Sequence, residues 1–161
     1  MQITEPVTML TDYAMGAASL LFGLFLWMHI GPKNRTTIRL WMLCFAGVCI
    51  AALVGGTYHG FASYFSDSGL RELWNVTIYS SGFAGGSVVS AAIASDVSSR
   101  KLGRKWLTAG ILVTFAGIAI QQTGFRHGAA FNHNDVYHVI QIAGLYYFFK
   151  CAGVGEDRRV S

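Results

Sequence analysis

Residues 131–142 read FNHNDVYHVIQI and open an apolar run that continues from Val136 to about Val154. Asn134, Asp135, His138 and Gln141 fall at relative positions i, i+1, i+4 and i+7, so a helix places them on one face. The spacing therefore predicts a helix with a coherent polar face at the mouth of a segment apolar enough to enter a bilayer. Polar and ionisable side chains inside such a segment are costly to keep and point to a functional site.

The rest of the chain supports a membrane setting. It has 161 residues, of which 53% are hydrophobic and only 12% charged, and its mean hydropathy is +0.43. Soluble domains carry roughly 25% charged residues. A helix needs about 20 apolar residues to cross a bilayer core. Five stretches approach that length: 13–30, 40–56, 74–95, 106–121 and 136–154. The predicted fold is thus all-α, a single polytopic membrane bundle of five transmembrane helices over residues 1–161.

The charges orient this bundle. With the N-terminus outside, the inner loops and C-terminal end hold Lys33, Arg35, Arg39, Arg100, Lys101, Arg104, Lys105, Lys150, Arg158 and Arg159, ten of the twelve basic residues. Only Arg71 and Arg126 face outward, a strong positive-inside bias. The expectation is an outward N-terminus, a cytoplasmic C-terminus and residence in a bacterial inner membrane. The net charge of +4 is divided among short loops, which excludes a nucleic-acid footprint. The long second loop, 57–73, is expected along the outer membrane surface. Nothing before the first apolar run resembles a cleaved secretory signal. Cys44 and Cys49 point to different helical faces, and Cys44, Cys49 and Cys151 read as small buried hydrophobes.

This topology gathers polar residues at one depth. Asp12, His59, Gln121, Asp135 and His138 all fall near the outer boundary. His59, His133 and His138, with Asp135, are candidate ligands for zinc or another transition metal. Asp12 is the candidate base on a metal-bound water. Asn134, Gln141 and Thr57 complete a surrounding polar cluster. Asp135 is also placed to orient His138. The plainer alternatives are helix caps at Asp12 and at Asp135 or Asn134.

The motifs TDY at 11–13, GGTYHGF at 55–61, LW at 73–74 and HNDVYHVIQ at 133–141 resemble a group of small uncharacterised integral membrane proteins of bacterial and fungal type. More remotely, the chain resembles the alkaline ceramidase and progestin/adiponectin-receptor-like superfamily. That resemblance implies a seven-helix membrane hydrolase with a three-histidine zinc site. By position His59 matches its first zinc histidine and His138 its last. Asn134 stands where the superfamily has another histidine, and Gly55 where it has serine.

Three functional expectations follow. The first is a metal-dependent hydrolase of a lipid or amphiphile. The second is a small non-catalytic subunit of a larger membrane complex. The third is a haem-binding or other cofactor-binding membrane protein with His59 and His138 as axial ligands.

Overall fold

The computed structural model describes residues 2–32, 34–95, 101–124, 126–127 and 131–153. Five long helices dominate: α1 (Pro6–Met28), α2 (Arg35–Phe61), α3 (Asp67–Ala94), α4 (Lys101–Gln122) and α5 (His133–Gly153). A 3₁₀ turn, Ala62–Tyr64, follows α2. A two-residue antiparallel ribbon, β1 (Arg126–His127) with β2 (Phe131–Asn132), precedes α5. Lys33, Arg100, Arg158, Arg159 and Val154, used in the charge and span readings, lie outside the described residues.

Four helices, α1 to α4, are long and apolar enough to cross a membrane. The fifth does not meet that measure, although its length of 21 residues would suffice. Its first turns spend too many positions on the polar face that starts the chain's most distinctive stretch.

Each helix begins earlier than its apolar run. In α1 Pro6 occupies the first turn, where its missing N–H and fixed φ cost nothing. This adds Thr8, Thr11 and Asp12 to the helix, so Asp12 is an interior residue and not a cap. The expected surface-lying loop 57–73 is instead mostly helix. The chain turns through Ala62–Tyr64, and Ser66 caps α3 by accepting from the Gly69 N–H at 3.3 Å. Ser66 is a strong N-cap type and Asp67 suits the positive helix start.

The helices pack in the lateral order α3, α2, α1, α5, α4, and α3 and α4 barely touch each other. Trp41, Phe45, Leu26 and Ile38 fill the centre of α1 and α2, joined by Leu145, Phe148 and Cys151 of α5. The Trp41 indole N–H donates to Ser95 Oγ at 3.1 Å and fastens one end of the bundle. Among the described residues Cys44, Cys49 and Cys151 form no disulfide, and Cys44 and Cys151 are buried. On the outside, Leu21, Trp27, Met28, Tyr79, Ile93, Leu112 and Phe115 are more than half exposed. An apolar band of this extent marks a surface made for something other than water.

Candidate functional site: a buried histidine–carboxylate cluster

Antiparallel connection brings the start of α1, the end of α2, the end of α4 and the start of α5 to one end of the bundle. The Thr4 N–H donates to the Gly60 carbonyl at 3.0 Å and the Glu5 N–H to the His59 carbonyl at 3.2 Å. Glycines let α1 approach α2 closely here. A Cβ on Gly56 would sit 2.6 Å from the Tyr13 ring, and one on Gly55 would meet Asp12 Oδ2 at 3.5 Å. The motif GGTYHGF is therefore a landing strip for Asp12 and Tyr13.

At the centre, His138 Nε2 lies 3.2 Å from Asp12 Oδ1, with both side chains buried. The other ring nitrogen, Nδ1, lies 3.0 Å from Thr11 Oγ1. Thr11 gives its own hydroxyl hydrogen to the Thr8 carbonyl at 3.0 Å. The His138–Thr11 bond then needs its hydrogen on Nδ1. One further proton is shared between Nε2 and Asp12, on either side. The pair is neutral overall in both arrangements, which suits a buried setting where an unpaired charge is expensive.

Asp12 leaves its second oxygen, Oδ2, buried without a hydrogen-bond partner. The same is true of Asp135 Oδ1. Asp135 lies within electrostatic range of Asp12, and His59 and Asp135 lie within range of His138.

Asp135 is fully buried and is held by the start of α5. Its Oδ2 accepts from the Asn132 N–H at 2.7 Å, while Asn132 Oδ1 accepts from the Asn134 N–H at 2.8 Å. Asn132 thus caps α5 by taking the N–H two residues on, while Asp135, three residues on, reaches back to the Asn132 N–H, an arrangement of the capping-box kind. Asn132 Nδ2 donates to Thr8 Oγ1 at 3.2 Å, tying the cap to α1. Gln121 Nε2 donates to Asn134 Oδ1 at 3.2 Å, tying α4 to it. Gln141 Nε2 donates to the Thr114 carbonyl at 3.1 Å.

The other expected ligands go elsewhere. His59 Nδ1 pairs with Glu5 Oε2 at 3.0 Å, where Glu5 is partly exposed. His133 starts α5 with its Nδ1 buried and unpartnered. Thr57 donates to the Leu53 carbonyl at 2.8 Å and receives the Tyr13 hydroxyl at 3.2 Å. Among the described residues no three His, Cys, Asp or Glu side chains are grouped to hold a metal ion. His138 has both ring nitrogens engaged, Asp135 has one oxygen committed to a helix cap, and His59 is drawn to Glu5. A zinc ion wants three protein donors converging on one point, and this donor set does not fit it. A haem held by His59 and His138 meets the same objection, because each ring already has a protein partner.

Sequence reading missed Thr8, Thr11, Glu5 and Asn132. The missed signal was Pro6: a helix starting there places Thr8, Thr11 and Asp12 at i, i+3 and i+4, on one face. Tertiary pairing with Glu5 carries no such signal.

The arrangement defines a helical-bundle protein with a histidine–carboxylate cluster at one end. The chain belongs to DUF6962, a family of unknown function, whose model matches residues 7–107 and 97–156. No curated protein and no solved structure matches the chain.

Proposed function

We propose that this chain is an integral membrane protein of five spans, with its N-terminus outward and its C-terminus cytoplasmic, that uses Asp12 and His138 as a buried acid–base pair on a lipid-like amphiphile. A bacterial inner membrane is the setting that the basic inner loops suit. The observation that carries the chemistry is the state of Asp12: one carboxyl oxygen on His138, the other buried and unpartnered. An acceptor of that kind is poised to take a proton from a water or hydroxyl that enters the site. In hydrolysis of an ester or amide, water would add to the carbonyl carbon and pass its proton to Asp12. The carbon–heteroatom bond would then break, with that proton delivered to the leaving alcohol or amine. His138 shares the proton with Asp12, and Thr11 holds the ring in register. The remote likeness to a membrane-hydrolase superfamily supports this reading through His59 and His138, without its metal.

The test is turnover of a panel of long-chain esters and amides by purified protein in detergent, with added zinc and with chelator. Hydrolysis that persists in chelator and is lost in Asp12→Asn and His138→Gln supports the reading. Hydrolysis that needs zinc, or that survives both substitutions, overturns it.

A second reading, a non-catalytic subunit of a membrane complex, is favoured by α3. Cβ atoms built on Gly82, Gly85 and Gly86 meet nothing within 4 Å, and such glycines are suited to close approach by another helix. A stoichiometric partner that copurifies through α3, together with no turnover, would support it over the first.

A further inference from the structure

A cavity of about 330 Å³ lies in the gap that α3 and α4 leave between them, and all five helices contribute to its wall. Its walls are mostly apolar, with Val88, Leu145 and Phe148 among them, and no charged side chain lines it. The volume falls in the range of small-molecule sites. It has room for roughly a dozen water-sized groups at about 30 Å³ each. That suffices for a lipid head and its first carbons, with the remaining chain left between α3 and α4.

Three polar groups in this wall are unspent, and the most deeply enclosed is Thr114 Oγ1, buried without a hydrogen-bond partner. Gln141 is 8% exposed; its Nε2 is used on the Thr114 carbonyl, and nothing among the described residues donates to its Oε1. The Tyr137 hydroxyl likewise has no protein partner among the described residues. Gln141 Oε1 accepts, and the Tyr137 and Thr114 hydroxyls can each donate. A buried polar group without a partner is costly, and a ligand hydroxyl that reaches Thr114 Oγ1 removes that cost. The cavity also adjoins the acid–base pair. Met15 and Gln141, each three residues past Asp12 and His138, line it.

We infer that this cavity binds an uncharged long-chain alcohol or alcohol-headed lipid, which enters sideways from the bilayer between α3 and α4. Charged amphiphiles are disfavoured because the wall offers no counter-ion. As a statement about binding the inference stands alone; as a statement about substrate it rests on the acid–base reading above.

The experiment uses the full chain in phosphatidylcholine nanodiscs with a diazirine-bearing hexadecanol as photoprobe. Labelling should fall on segments around Thr114 and Leu145 and be competed by unlabelled hexadecanol. Hexadecanoate and hexadecyltrimethylammonium should compete at least about tenfold more weakly, a difference of about 1.4 kcal/mol. Gly85→Trp fills the cavity from a position where an added Cβ meets nothing within 4 Å, and it should cut labelling at least about tenfold. Gln141→Leu should weaken hexadecanol competition while leaving the cavity open. Labelling spread evenly over outward residues such as Tyr79 and Phe115, equal competition by the charged analogues, or labelling unchanged in Gly85→Trp would overturn the inference. Asp12→Asn should lose turnover and keep labelling. Labelling without turnover of any amphiphile retains the cavity site and removes the acid–base reading. Turnover that is indifferent to Gly85→Trp removes the cavity as the substrate site and leaves the acid–base reading.

Discussion

His138 Nε2 lies 3.2 Å from Asp12 Oδ1, joining α5 to α1 across nearly the whole length of the chain. The two residues are buried, so each is the other's main compensation for leaving water. Removing one partner strands the other. Asp12→Ala or His138→Ala should destabilise the protein by about 3 kcal/mol, whereas Asp12→Leu combined with His138→Leu should cost less than the sum of the singles. Unfolding in detergent, followed by a trapping assay, reads both values.

Thr11 sets the ring hydrogen of His138 by spending its own on the Thr8 carbonyl. Thr11→Ser should keep the Nδ1–H form, and Thr11→Val should lose it, because Nδ1 then has no acceptor. Nitrogen NMR of protein labelled at histidine distinguishes the two forms. An unchanged ring spectrum in Thr11→Val would reject this positioning role.

The capping box at the start of α5 should behave like other helix caps. Asn132→Ala should cost about 1 kcal/mol, and Asn132→Ser only a fraction of that. The loss should concentrate in faster amide exchange at residues 133–136, with the far end of α5 unaffected.

Glycines in two places should answer oppositely to the same change. At Gly56 a Cβ would lie 2.6 Å from the Tyr13 ring, so Gly56→Ala should cost about 1–3 kcal/mol by overpacking. At Gly82 nothing stands within 4 Å, so Gly82→Ala should be neutral or stabilising by up to about 1 kcal/mol. Thermal unfolding of the two variants side by side checks the contrast.

The proposed orientation can be read chemically. In a background lacking Cys44, Cys49 and Cys151, Ser68→Cys should react with an impermeant maleimide on intact cells. Lys101→Cys should react only after permeabilisation. The opposite pattern would invert the topology.

The sequence alone determined the helical architecture, because apolar runs of bilayer length have few other ways to satisfy their backbone. It also placed Asp12, His59, Gln121, Asp135 and His138 at one end, since helix direction alternates along the chain. Tertiary structure decided who meets whom. Partner choice depends on the approach of α1 to α2 over Gly55 and Gly56 and of α5 to α1, and neither distance is written in a local pattern. So Asp12 found His138, and His59 went to Glu5 on the rim. Asp135 closed a cap with Asn132. The cavity between α3 and α4 exists because each of those helices packs on one neighbour only. The residues read as ligands therefore share one end of the bundle, but there His138 pairs with Asp12, His59 with Glu5 and Asp135 with Asn132.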